Sequence, residues 1–520
     1  MNLRPYQSDC AAAVFRSFVE YTKVLTVIPT GGGKTIIFSH IASRIWTEKG
    51  KRTLIIAHRE ELLQQAKEKL ERATGIIAEI ERADSHASLD APVVIASIQT
   101  LMRRFNDWPA NHFAIVIVDE AHHIMADSYQ GAVQHFMAGR AKVLGVTATP
   151  GTKGKKALGN FFEDIAFEIG LLDLMKEGFL SRIMVRSFPL QADIPLTMKG
   201  GDYDQDAIDC ALAPYLDNIA QRFGKEIGSR KTLVFVPLVK TAVKFSELLR
   251  SHGVTADYIC GESEDRKGIL ARHGNGFQVL VNSMLLTEGY DDPQISAMMV
   301  LRPTRSEILF SQMVGRGTRV YCPWGCPSGC QHAARKRDLL LLDPLWLHED
   351  MKLVRPASLV TGRDEDRRTI TQRVDDAQEE LDLLGMKADA EHERETALAE
   401  KLAALQKKRS KTISIEEWAV LSHNPDIADY EPTMGWHEKP VSDKQRDLLL
   451  RFGIDSESIK NRGQAVVLID TAFDRIKRKL ASFKQVRLLK QMHHPHPELA
   501  TMAEASAFID SHKKQPTSTP

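Results

Sequence analysis

Little in this sequence is present in excess. Its 69 Lys and Arg residues balance 68 Asp and Glu, leaving a net charge of +1. So neutral a chain has no global field to draw in a polyanion, and any contact with nucleic acid must use local basic patches. Long apolar runs are missing too. None approaches the roughly 20 residues that a membrane-spanning helix needs, so no membrane partner is expected. Six cysteines in 520 residues do not make a disulfide scaffold, and they point to a reducing, cytoplasmic compartment. No secretory leader is visible, because Leu3 to Gln7 reads as part of a working motif. With 43% hydrophobic and 26% charged residues, the composition is that of a globular protein, and the length suggests about three domains.

What the chain does have is one glycine-rich loop in a telling context. Val24 to Ile28 is an apolar run that reads as a buried strand, Pro29-Thr30-Gly31-Gly32-Gly33-Lys34-Thr35 follows, and a helical pattern begins just after it. Glycines let backbone N–H groups curl around a polyphosphate, and the helix N-terminus adds partial positive charge. In such a loop Lys34 reaches the β- and γ-phosphates and Thr35 holds Mg²⁺. Upstream, Leu3-Arg4-Pro5-Tyr6-Gln7 leads into a helix through Val19. The Gln7 amide donates and accepts, which suits an adenine edge, although a surface glutamine at a helix start would look the same.

Further strands are expected at 54–57, 93–96, 115–118 and 143–146. The third delivers Asp119-Glu120-Ala121-His122 to the sheet edge that carries the glycine loop. Of two adjacent carboxylates beside a triphosphate, Asp119 can hold Mg²⁺ and Glu120 can orient and deprotonate water. Arg59, Ser97 and Thr100 follow the first two of these strands and could hold a sugar-phosphate backbone; helix capping by Ser97 and simple exposure of Arg59 are the alternative. Val143 to Val146 leads into Thr147-Ala148-Thr149-Pro150, small hydroxyls that could link the carboxylates to another lobe.

PTGGGKT, DEAH and TATP, in this order, resemble a superfamily 2 helicase of the DEAH-box type, in which Ile28 replacing the first loop glycine is usual. The wording of LRPYQ, LRPT and VGRGTR is most similar to RadD-like and phage-type DNA helicases, over about Met1 to Leu347. The resemblance implies an α/β fold of two tandem RecA-like parallel-sheet lobes, followed here by an α-helical C-terminal region. It implies ATP and Mg²⁺ as cofactors, and DNA, single-stranded or tailed duplex, in preference to RNA. It places Arg4, Gln7, residues Pro29 to Thr35, Asp119, Glu120, His122, Gly289 and Asp291 on the nucleotide. Thr287 would meet nucleic-acid phosphate, and Gln312, Arg316 and Arg319 would join Lys34 and Glu120 in catalysis, the arginines as fingers on the γ-phosphate. Rival readings are a nucleic-acid-gated ATP switch and the motor subunit of a restriction-type complex.

The expected divisions are a first lobe at 1–165, a connecting segment at 166–205 and a second lobe at 206–350. A charged helical linker at 351–440 and a helical repeat module at 441–520 follow. Leu171 to Leu180 reads as a short amphipathic helix, Asp193 to Asp206 as a loop, and 232–236, 279–282 and 297–300 as strands of the second lobe. Thr304 and Glu307 have capping-box spacing. Cys322, Cys326, Cys330 and His332 form either a structural zinc site or a turn with reduced thiols. The stretch from Arg363 to Lys411 is charged, with Leu398, Leu402 and Leu405 on one face of a solvated helix or short coiled coil. Ser442, Lys444, Gln445, Leu448 and Leu449 recur as Ser482, Lys484, Gln485, Leu488 and Leu489. The two units should pack on each other and, with a basic junction at Lys477, Arg478 and Lys479, bind nucleic acid or dock a protein partner.

Overall fold

Alternation of short apolar runs with amphipathic segments builds two parallel sheets in a computed structural model of the chain. The structure describes residues 3–513 apart from 58–59, 149–157, 190–196, 200–201, 288–289, 327–329, 331, 333–334, 346–353, 378, 406–414, 423, 429, 433–434, 455–457 and 493. Residues 1–154 and 161–387 form one compact unit, and 155–160 with 388–520 form another.

The first sheet comprises β1 (Lys23–Val27), β2 (Arg52–Ala57), β3 (Ala78–Glu81), β4 (Val93–Ser97), β5 (Phe113–Asp119), β6 (Lys142–Thr147) and β7 (Asp164–Glu168). Their order is β3-β4-β2-β5-β6-β1-β7, with every pair parallel. β2, β4 and β5 are buried along most of their length, as strands covered on both faces must be. Because β6 lies between β1 and β5, the carboxyl ends of all three meet at one edge. The glycine loop, Thr147 and Asp119-Glu120 therefore converge there.

The second sheet takes in β8 (Arg182–Pro189), β11 (Thr232–Phe235), β12 (Ala256–Ile259), β13 (Val279–Asn282), β14 (Ala297–Val300), β15 (Asp338–Leu345) and β16 (Leu381–Asp382). A separate hairpin pairs β9 (Met198–Lys199) with β10 (Asp202–Tyr203). Its order is β12-β13-β11-β14-β15-β8-β16, parallel except for β16. This differs from the expected boundaries of 206 and 350. β8 precedes them yet runs parallel to β15 over the whole of both strands, and β16 follows them. The stretch 193–206 also departs from a plain loop, since the hairpin and the start of a helix at Gln205 occupy its described part. Thr304 is not a helix cap. Ser306 caps the helix Glu307–Gly315 by accepting from the Leu309 N–H, while the Thr304 hydroxyl donates to Asp202.

The second unit is helical, and the compact units divide between 387 and 388 rather than at 351 and 441. A helix spans Leu383–Leu405, and another begins at Ile415, Ser414 lying outside the described residues. The repeat is real in three dimensions. Helices Asp443–Phe452 and Arg462–Lys477 recur as Phe483–Gln491 and Met502–Lys513. Leu449, Ala465, Leu468, Leu489, Ala505 and Ile509 from both copies share one core. Among the described residues no helix is long and apolar enough to cross a membrane.

Ser442 and Ser482 close matching capping boxes with Gln445 and Gln485. Ser482→Ala removes a cap and should cost about 1 kcal/mol. Native-state amide exchange of Val486 to Leu489 should accelerate accordingly, with exchange in the first sheet unchanged.

Candidate active site between the two sheets

The glycine loop is shaped by its own backbone and by what leans on it. Gly31 and Gly33 have φ of 87° and 78°, the left-handed region that side-chain-bearing residues avoid. Tyr6 donates to the Gly32 carbonyl at 2.8 Å. Gln7 is buried, not a surface residue. Its Oε1 accepts from the Arg4 N–H at 3.0 Å, and its Nε2 lies 3.4 Å from the Gly32 carbonyl. The Phe179 ring packs 5.2 Å from Tyr6 with the Arg4 guanidinium 5.2 Å above it.

Lys34 opens the following helix, Lys34–Lys49, and its ammonium meets Glu120 Oε1 at 2.6 Å, both side chains being 12% exposed. Glu120 adopts φ 50°, an uncommon conformation for this residue, directly after β5. Burial acts to raise its pKa, but the charges of Lys34, His122 and Arg316 outweigh that and hold the carboxyl below its ordinary value. His122 Nδ1 stands 3.5 Å from Glu120 Oε2 and 3.3 Å from the Thr147 hydroxyl. Asp119 Oδ1 accepts from the Glu120 N–H at 3.0 Å. Thr35 is part-exposed at the start of the helix.

The second sheet reaches the same loop. A Cβ at Gly315 would sit 2.5 Å from the Thr30 Cβ, and one at Gly31 would meet Thr318 Oγ1 at 3.2 Å and Arg319 Cγ at 3.6 Å. Arg316 donates to the Thr287 and Tyr290 carbonyls while its charge acts on Glu120. Arg319 forms an ion pair with Asp291, which also takes Lys69 from the first sheet's helix Glu60–Thr74 at 3.0 Å. The two arginines therefore lie at the cleft and hold different partners. Among the described residues here, Thr30 Oγ1, Glu120 Oε2 and Gln312 Nε2 are buried without a hydrogen bond, with only the His122 ring 3.5 Å from Oε2. Buried atoms left without a partner are costly, and this trio fits a site completed by a polar ligand.

The residues expected to touch nucleic acid are placed differently. Ser97 caps the helix Ile98–Arg104, and its hydroxyl and that of Thr100 bond each other, both buried. The Thr287 hydroxyl is buried and donates to the Met284 carbonyl. These three hydroxyls are spent inside the protein. Arg59 and Gly289 lie outside the described residues, as do Thr149 and Pro150.

Three residues at this junction escaped the sequence reading. Lys69 sits on an amphipathic helix like any solvated lysine, and Phe179 lies in the connecting segment. Lys336 is buried and donates to the Gly317 carbonyl and, at 2.9 Å, to that of Arg319. Burial, aided by Arg230 and Arg319, pulls its pKa down to about 7 against Asp292 and Asp338. Its position inside the charged run Arg335-Lys336-Arg337 hid it, because a basic run normally faces water. A cavity of about 420 Å³ also opens between the sheets, lined by Lys69, Arg72, Arg266 and Tyr290 among others.

Comparison with known proteins accounts for this pairing of sheets. Residues 1–152 match the family described as type III restriction enzyme, res subunit, and residues 215–321 match the helicase conserved C-terminal domain. The chain is similar to a protein described as an ATP-dependent helicase, IRC3 of Saccharomyces cerevisiae, at 30% identity over 347 residues, 61% of this chain and 50% of that protein. It is 31% identical over 358 residues to a protein described as a mitochondrial ATP-dependent helicase, irc3 of Schizosaccharomyces pombe, covering 66% and 57%. The chain thus spans about half the length of either. A fragment of an HsdR subunit of a type I restriction enzyme from Vibrio vulnificus YJ016 shares the fold, with a TM-score of 0.52 at 21% identity, covering 65% of this chain and 63% of that one.

Two outcomes follow from the junction. Gly315→Ala forces a Cβ against Thr30 and should cost about 1–3 kcal/mol despite favouring the helix, read as a lowered unfolding midpoint. Burial acts to raise the Asp291 pKa, but Arg319 and Lys69 outweigh it and hold it below its ordinary value. Its stabilising effect is present above the unfolded carboxylate value of about 4 and is lost as pH falls through the depressed folded value. Urea midpoints of the wild type and Asp291→Asn should differ at pH 6 and converge as pH drops below about 4.

Proposed function

We propose that this chain is a superfamily 2 helicase, a nucleic-acid-stimulated ATPase whose two RecA-like lobes turn ATP hydrolysis into movement along DNA or unwinding of it; the matches of residues 1–152 and 215–321 support the reading. The observation that carries the reading is the meeting of Lys34 and Glu120 from one lobe with Arg316 and Arg319 from the other at a single cleft.

In this reading Arg4, Gln7 and the ring of Phe179 receive the adenine, and Pro29 to Gly33 cradle the phosphates. Lys34 leaves Glu120 for the β- and γ-phosphates, which frees the Glu120 carboxylate to orient and deprotonate the attacking water. Thr35 and Asp119 would hold Mg²⁺, which would neutralise charge on the phosphates. Arg316 and Arg319 exchange their present partners for the developing charge on the γ-phosphate, Gln312 joins them there through its buried Nε2, and His122 couples Glu120 to Thr147. Gly289 and Asp291 lie beside the nucleotide. Closure of the lobes then tracks the nucleotide state, and a lobe-to-lobe cycle becomes a step if each lobe grips the strand. Ser97, Thr100 and Thr287 would serve that grip only after their hydroxyls are released, and Arg59 would join them.

DNA is the substrate we favour over RNA, as in RadD-like enzymes of repair, recombination or replication. The helical repeat unit binds DNA or a protein partner through its basic junction. A reducing, cytoplasmic setting suits six cysteines that are all free. The likeness to restriction subunits supports a second reading, a motor that works within a larger complex.

ATPase activity titrated with single-stranded DNA, duplex DNA and RNA tests the reading. DNA should stimulate turnover more than RNA, Lys34→Ala should abolish it while circular dichroism stays native, and Arg316→Ala should lower it by about 10³-fold or more. Turnover without displacement of a strand from a tailed duplex would favour a gated switch, and turnover indifferent to any nucleic acid would sink the proposal.

A further inference from the structure

We infer that Cys322, Cys326, Cys330 and His332 bind one structural zinc ion, and that this ion fastens the loop immediately following the Arg316–Arg319 segment. One ligand atom from each residue can be chosen so that all lie within 4.8 Å of one another. Cys326 Sγ is 3.2 Å and Cys322 Sγ 3.7 Å from His332 Nδ1. A tetrahedral ion with Zn–S of about 2.3 Å and Zn–N of about 2.0 Å needs ligand atoms roughly 3.5–3.8 Å apart, so small movements complete the shell. Three thiolates and one imidazole, with no carboxylate in the group, are a soft donor set that selects zinc over magnesium or calcium.

The surroundings are built to present these groups. Gly325 turns the chain at φ 66°, with its N–H on the Cys322 carbonyl at 2.9 Å. Arg335 donates through its side chain to the Cys330 carbonyl at 2.9 Å and through its N–H to that of His332 at 3.0 Å. The Trp324 ring, 65% exposed, covers the His332 imidazole at 4.9 Å. A metal can fix so short a segment outright.

Position gives the ion its consequence. Cys322 comes three residues after Arg319, and His332 four before Lys336. The Lys336 N–H donates to the Tyr321 carbonyl at 2.9 Å, closing the base of the loop, while its ammonium holds the Gly317 and Arg319 carbonyls. Zinc would close the outer end of the same loop and so keep Lys336 against the arginine segment. Only this consequence rests on the ATPase reading; the metal site does not.

The full chain, purified without added metal or chelator, should carry about one zinc per molecule by plasma mass spectrometry. Cobalt substitution should give the intense absorption of a tetrahedral thiolate site. Cys326→Ser should lose both signals, and His332→Cys should keep them. Stripping the metal should speed amide exchange across Gly315 to Tyr321, whether or not the protein hydrolyses ATP. Zinc below about 0.2 per chain, or cobalt bands that survive Cys326→Ser, would overturn the site. Unchanged exchange in metal-free protein would overturn its fastening role.

Discussion

Glu120 is a buried carboxylate faced by Lys34 at 2.6 Å, by His122 beside it and by Arg316 from the other sheet. An ion taken out of water costs several kcal/mol unless other charges compensate it. Here the compensation comes partly from a separate lobe, so the ionised state of Glu120 and the closeness of the lobes support each other. The left-handed backbone at Glu120 adds local strain, tolerated because β5 and the short helical turn after it fix both neighbours.

The contact that brings Arg316 into range depends on a missing side chain. Only a glycine at 315 lets the end of its helix rest on Thr30. Beyond it the chain turns through Arg319 and is held from below by Lys336, whose burial among backbone carbonyls spends a charge to fix the position of two others. Asp291 completes the junction by binding Arg319 and the first sheet's Lys69 together. The Lys69–Asp291 pair crosses from the first sheet to the second, while the Arg319–Asp291 pair stays within the second.

The helical unit obeys a different logic. A single helix pair exposes the face it would need to bury, and two copies solve this by sharing one core. Its capping boxes recur with the cores because each fixes where a helix begins. The repeat was therefore legible from spaced residues alone, even though nothing in it resembles a catalytic motif.

The sequence by itself determined where the candidate groups sit along the chain. Strand, glycine loop and Lys-Thr are adjacent in the chain, and DEAH follows its own strand, so local rules suffice for Lys34, Thr35, Asp119 and Glu120. Tertiary structure alone decided what those groups face. It drew β8 from the expected connecting segment into the second sheet, because the pairing of β8 with β15, so distant in sequence, has no local signature. It turned Ser97, Thr100 and Thr287 inward, since a hydroxyl reads the same whether it caps a helix or meets a phosphate. It gave the two arginines separate partners and made a buried clamp of Lys336, because the groups they meet come from parts of the chain whose approach no spacing rule encodes.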